Sequence, residues 1–313
     1  MTVKAAAEEF LLHCRIEKNL STKTLKAYRT DLTQLMSFLK QANKEPEISA
    51  VTKHDLRNYL ASIAHLKPKS VKRKVATAKT LFNYMEFEDK IVVNPFRKMR
   101  IRIKEPHRLP TVMDIQEIVR IFKASYRRKK AITNEDSYQY LESVRDIAVL
   151  ELLFTTGARV SEIANLPKEA INLHSGSLII KGKGNKERII QICNKETISL
   201  LQHYYSLAEA RSRVAGGWFL INRFNGKLSE QSIRNMVKAM AKKAGITKRV
   251  TPHIFRHSFA TLLLEKDVDI KYIQSLLGHS SINTTQIYTH VNRKRQRQIL
   301  AAKHPRRDFS MGE

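Results

Sequence analysis

Through the first third of the chain, apolar residues recur at three- and four-residue spacing, which predicts helices. After Ser21, a residue type suited to capping a helix N-terminus, Leu25, Tyr28, Leu32, Leu35 and Leu39 form one stripe. A second helix is predicted from Thr52 through Ile63, and Pro68 separates it from a third. That third segment, Ser70 to Tyr84, places Val71, Val75, Ala78, Leu81 and Phe82 on one side and Lys69, Lys72, Arg73, Lys74 and Lys79 largely on others. It reads as an amphipathic helix with a basic outer face, because acids are almost absent between Asp55 and Glu86.

The helical period stops at NPFRKMRIRIKEPHRLP, residues 94–110, where three prolines and six Lys or Arg residues predict an extended basic linker. Asp114 and Glu117 then have the spacing of a capping box. The polar stretch from Ala124 to Glu142 reads as a helix extension or a loop insertion. Arg145 to Leu153 is strongly apolar and predicts a buried helix ending at Gly157. Val160, Ile163, Ala164 and Leu166 resume the period, so Arg159 stands at the mouth of a new helix. In LIIKGKGNKERIIQI, β-branched runs flank Gly182 to Asn185, the composition of a hairpin with Lys183 at its tip. Trp218 to Ile221 reads as a short strand. Beyond it the chain is helical to its end, with Ser229 or Ser232 capping one helix, Gly245 closing it and Pro252 opening the next.

The expected fold is therefore mainly α with a small antiparallel β-sheet, in two domains. Residues 1–94 form a helical domain, 95–110 the linker, 111–290 the second domain and 291–313 a basic tail. No apolar run approaches the roughly 20 residues of a membrane-spanning helix, and Glu8 and Glu9 interrupt what a secretory signal would need to keep apolar. Only Cys14 and Cys193 are present, with no CxxC pair, which fits a reducing, cytoplasmic setting and excludes a cysteine-based zinc site.

Charge changes the picture more than composition does. With 57 Lys+Arg against 29 Asp+Glu, a formal +28, the chain calls for a polyanionic partner. Duplex DNA is the expected one, with Lys69, Lys72, Arg73, Lys74, Lys79, Arg97, Lys98, Arg100 and Arg102 as candidate contacts.

Six further residues carry candidate chemistry: Arg159 in TTGARVSEIANL, Lys183 in KGKGNKER, His253 and Arg256 in HIFRHSFA, His279 in LLGHSS, and Tyr288 in QIYTH. Arginine forks suit the charge that develops on the non-bridging oxygens of a phosphodiester. His253 and Arg256 are three apart on one helical face, Lys183 could protonate a leaving oxygen, and Tyr288 supplies a nucleophile whose proton His253 could accept. Each has an ordinary reading too. Arg159 could pair with Glu162, the Gly-rich turn could be only a turn, and Tyr288 is one of ten tyrosines. His253 and His257 lack the glutamate of an HExxH pair, so no metal is expected. The ordered co-occurrence favours the chemistry. A covalent phosphotyrosine link would conserve the energy of a broken strand, and no cofactor is then needed.

Together these blocks, with TPHIFRHSFATLLLEKDVDIKYIQSLLGHSSINTTQIYTHV, resemble the tyrosine recombinases of the phage-integrase and Xer type, over nearly the whole chain. The resemblance implies that residues 1–94 are a core-binding domain and residues 111–290 the catalytic domain. Arg159, Lys183, His253, Arg256 and His279 would form a phosphate pocket supported by Glu162, with Tyr288 joining the 3′ phosphate. It further implies site-specific recombination on paired inverted-repeat core sites by a homotetramer, or a heterotetramer with a paralogue, through a Holliday junction on the nucleoid. The tail would dock on a neighbouring protomer, or alternatively on its own. The competing readings are an inactive sequence-specific DNA-binding protein and a type IB topoisomerase-like enzyme.

Overall fold

The computed structural model describes residues 1–42, 46–105, 111–182, 187–211, 217–278 and 292–311. The chain divides into two compact units, Met1–Arg108 and Leu109–Glu313. Both are mainly helical, and no described helix is long and apolar enough to cross a membrane.

The first unit packs α1 (Val3–Ile16), α2 (Thr22–Ala42), α3 (Lys53–Ser62) and α4 (Pro68–Phe87) around one core. The first of these goes beyond the elements expected from the sequence, although Val3, Ala6, Ala7, Phe10 and Cys14 have helical spacing and are buried. Ser21 does cap α2, its Oγ accepting from the Thr24 amide at 3.3 Å. Thr52 and Asp55 cap α3 reciprocally. Pro68 lies inside α4, in its first turn, where a missing amide proton costs nothing.

One candidate DNA contact is corrected here. Lys74 shares a stripe with Val71, Ala78, Leu81 and Met85 and is only 5% exposed. Its ammonium donates to Asp31 at 3.0 Å and to Gln34, while Arg73 and Thr77 reach the same Asp31. A lysine so placed ties α4 to α2, since an unpaired charge could not be buried there. Lys69, Lys72, Arg73 and Lys79 are exposed. Residues expected to form the linker also belong partly to this unit. Phe96 is buried edge-on against Phe82, and Met99, Ile101 and Ile103 lie on the same core. Arg97, Lys98, Arg100 and Arg102 stand out between those apolar anchors, exposed.

In the second unit, α5 (Ile115–Lys130) opens with the Asp114/Glu117 capping box and α6 (Tyr138–Thr156) is the spine, buried at every residue from Ser143 to Thr156. Residues 124–142 finish one helix and start the other, and Arg128 cross-ties them through Glu142 and Asp146 at 2.6 Å each. Gly157 closes α6 at φ +59°, and a Cβ there would stand 2.5 Å from the Phe259 ring. No other residue type suits both demands.

Next come the short α7 (Val160–Ala164) and an antiparallel sheet of β1 (Ile171–Asn172), β2 (Ser177–Lys181) and β3 (Glu187–Gln191) in that order. Pairing of β2 with β3 sets Leu178 opposite Ile190 and Ile180 opposite Arg188. The hairpin strands flank the Lys183 turn, itself outside the described residues. The strand expected at residues 218–221 is instead two isolated bridges, Pro167 with Trp218 and Ile221 with Lys227. Helix α8 (Lys195–Arg211) also goes beyond the expected elements, although Thr197, Leu200, Leu201, Tyr204 and Ala208 form its buried face. Helices α9 (Glu230–Lys243, capped by Ser229), α10 (Pro252–Glu265, capped by Thr251), α11 (Ile270–Leu277) and α12 (Asn292–Lys303) complete the unit.

In this single chain the tail packs on the second unit. Leu300, His304 and Arg306 are buried, and the Arg306 guanidinium grips Glu151 of α6 at 2.8–3.0 Å and Glu196 at 3.1 Å. The His304 Nε2 faces the Thr155 carbonyl at 3.0 Å while its Nδ1 accepts from the Arg306 amide at 2.9 Å, the pattern of a neutral ring. Burial pushes its pKa down to about 4, against the Thr155 bond and with help from the Arg306 and Lys266 charges. An unfolded histidine takes its proton near 6.5. Stability contributed by this ring is thus fully present above that value and is lost as pH falls towards 4, about 3 kcal/mol in all. Tail release followed by limited proteolysis from pH 7 to 4 should rise steeply in wild type and be flatter in His304→Gln.

Candidate active site

Three arginines from three elements meet at the C-terminal end of α11. Arg188 of β3 donates to the Leu276 carbonyl at 2.8 Å, Arg256 of α10 to Leu277 at 2.7 Å, and Arg159, the residue before α7, to Gly278 at 3.3 Å. The last carbonyls of a helix lack intrahelical partners and carry the negative end of its dipole, so cations gather there. Gly278 takes φ +66° to end the helix, with the Arg188 side chain packed beneath it. The described chain thus brings its cations to the residue that immediately precedes His279.

Glu162 organises two of the three. Its carboxylate accepts from the Arg159 backbone amide at 2.7 Å and from the Arg159 side chain at 2.9 Å, and it receives both Arg188 Nη atoms at 3.1 and 2.7 Å. Burial alone would raise its pKa. The Arg188 and Arg159 bonds outweigh that and hold it below the usual carboxylate range. The Arg159 side chain remains 42% exposed, whereas Arg256 is 5% exposed with its other donor on the Gly157 carbonyl at 2.9 Å. Burial and the neighbouring Arg159 charge depress the Arg256 pKa to about 10, so it stays charged at neutral pH while being short of counter-charge. An anion arriving beside Arg159 would relieve that repulsion.

His253 lies one turn before Arg256 on α10, exposed, its Nε2 3.0 Å from the Nε2 of His257. Burial first, then the charges of His257, Arg256 and Arg159, keep its pKa below the ordinary histidine value. A neutral imidazole beside a cationic pocket can accept a proton. Among the described residues no group of three or more His, Cys, Asp or Glu side chains converges as a metal site would require.

Of the residues singled out from the sequence, the structure brings together Arg159, Glu162, His253 and Arg256. Lys183, His279 and Tyr288 lie outside the described residues; the hairpin strands lead to the first and Gly278 leads to the second. The residue that sequence reasoning misses is Arg188. It sits within a strand pattern, although a lone arginine among the isoleucines of ERIIQI has to find a partner if that strand is half-buried.

Comparison with known proteins places the chain in a family. The phage integrase family model matches residues 111–295, and the model of the phage integrase N-terminal SAM-like domain matches residues 7–88. A tyrosine recombinase of Agathobacter rectalis is 42% identical over 302 residues, 96% of each chain. The tyrosine recombinase XerC of Staphylococcus aureus is 32% identical over 304 residues, again 96% of each. Among solved structures, the XerH site-specific recombinase bound to difH substrate in a pre-cleavage complex shares the fold, with a TM-score of 0.67, 23% identity, and coverage of 95% of this chain and 83% of that one. The chain belongs to the phage integrase family and is a tyrosine-type site-specific recombinase.

Proposed function

We propose that the chain cuts and rejoins DNA strands at paired inverted-repeat sites through a covalent 3′-phosphotyrosine at Tyr288. The observation that carries this reading is the gathering of Arg159, Arg188 and Arg256 on the carbonyls of residues 276–278. Arg159 and Arg256 would exchange those carbonyl bonds for the non-bridging oxygens of the scissile phosphate, where preorganised donors act most strongly on developing charge. His253 would take the phenol proton, Lys183 would protonate the leaving 5′ oxygen, and His279 would complete the pocket. The bond from Tyr288 Oη to phosphorus forms as the bond to the 5′ oxygen breaks. Reversal with a different 5′ hydroxyl rejoins the strand, so no energy source is consumed.

The exposed Lys69, Lys72, Arg73, Lys79, Arg97, Lys98, Arg100 and Arg102 would neutralise backbone phosphates around the duplex. Assembly of four protomers on two sites, through a Holliday junction and inside the cytoplasm on the nucleoid, follows from the same family reading. The XerH complex, named as a recombinase on its substrate, supports the DNA partner.

The target sequence emerges from the test itself. A randomised duplex library carrying a nick is incubated with the full chain, and detergent-resistant adducts are recovered, sequenced and mapped by mass spectrometry. Expected is one adduct, at Tyr288, on duplexes sharing an inverted repeat. Absence of any adduct would leave a DNA-binding protein without activity. Adducts on arbitrary sequence, with relaxation of any supercoiled plasmid, would identify a topoisomerase.

A further inference from the structure

The third arginine of the cluster differs from the other two in that all three of its guanidinium nitrogens are bonded within the described chain. Arg188 is 13% exposed, and its Nε, Nη1 and Nη2 are all engaged, on the Leu276 carbonyl and on both oxygens of Glu162. Arg159, which shares Glu162, keeps an exposed guanidinium. Arg188 also stands five residues after Lys183, at the start of β3, and its side chain fills the space beneath Gly278, the residue before His279.

We propose that Arg188 is a positioning residue for strand cleavage: one planar fork that holds Glu162, and through it Arg159, in register with the strand following the Lys183 turn and with the helix end preceding His279. The inference rests on the recombinase reading above and deepens it. Three parts of the pocket come from far-apart stretches of sequence: Arg188 stands on the strand after Lys183, and it bonds to Glu162 and to the Leu276 carbonyl, three residues from Arg159 and from His279 respectively. Lysine could not replace it, because one ammonium on a flexible stem cannot span a carboxylate and a carbonyl in fixed geometry. A displacement of about 1 Å in a phosphate-binding group costs on the order of a hundredfold in rate.

The charged groups facing Glu162 are Arg159 and Arg188, with Arg256 near enough to feel its charge. Removing Arg188 takes away the strongest of the forces that keep Glu162 ionised, so its pKa must rise and activity must fall on the acid side.

The experiment uses the full chain and the nicked duplex recovered from the library selection, with single-turnover adduct formation read from pH 5 to 8. For Arg188→Met the expected result is a cleavage rate about a hundredfold lower. Half-saturating DNA should stay within about threefold of wild type, and the acid-side loss of rate should begin at higher pH than in wild type. Arg188→Lys should move that loss back towards wild type and recover only part of the rate. Wild-type rates in both variants would overturn the proposal. So would parallel losses of melting temperature, binding and rate in both variants with an unchanged pH profile, the mark of a merely structural tie. Should wild type itself form no adduct, the recombinase reading fails, an outcome distinct from either of these.

Discussion

Replacing Arg256 with alanine is expected to slow adduct formation about a thousandfold or more while duplex binding changes only a few-fold. The guanidinium is buried at the junction of α6, α10 and α11, spans the Gly157 and Leu277 carbonyls, and is depressed to about 10 by burial and by Arg159. A charge held there against its own repulsion gains most when phosphate charge develops beside it, and that gain belongs to the transition state rather than to binding. On the proposed reading, basic residues elsewhere would supply the affinity. Arg256→Lys keeps the charge but loses the fork, and should fall between wild type and alanine. Two carbonyls lose their donor in the alanine variant, at about 1 kcal/mol each, so melting temperature should be followed in parallel. Cleavage by the alanine variant within tenfold of wild type would remove Arg256 from the phosphate pocket.

Arg306→Met is expected to be the most destabilising single change in the tail. Glu151 and Arg306 are both fully buried, joined at 2.8–3.0 Å, with Thr197 adding 2.8 Å to the carboxylate and Phe309 lying over the guanidinium at 4.5 Å. Breaking such a pair from one side strands the other charge in the core and costs about 3–5 kcal/mol. For a unit of this size that corresponds to a fall of about 10 °C in Tm. Adding Glu151→Leu to Arg306→Met should recover much of the loss, because the stranded carboxylate is then gone. A double variant no more stable than the single would show that the loss comes from packing and not from the buried charge.

Arg159, His253 and Arg256 are legible in the sequence because they are few, ordered and chemically matched, and the hairpin strands and the α10 start because turn and cap residues mark them locally. What stays hidden depends on partners far away in sequence. Lys74 carries the same 3–4 spacing as Val71 and Ala78, so its burial is visible in the stripe, but Asp31 as its counter-charge is not. Arg306 looks like one more basic tail residue until Glu151, 155 positions earlier, is seen opposite it. Arg188 needs the end of α11 to declare itself. Charged side chains read as surface by default, and each of these three is an exception maintained by a long-range pair.

Helix α6 underlies both the Arg256 and the Arg306 substitutions. Its closing residue, Gly157, offers its carbonyl to Arg256, two residues earlier Thr155 receives His304, and one turn before that Glu151 receives Arg306. The pocket and the tail are therefore indexed to a single rod. Adding or deleting one residue between Glu151 and Gly157 would swing one anchorage about 100° around the axis relative to the other, which makes this short span the place where the polypeptide can least absorb a change of length.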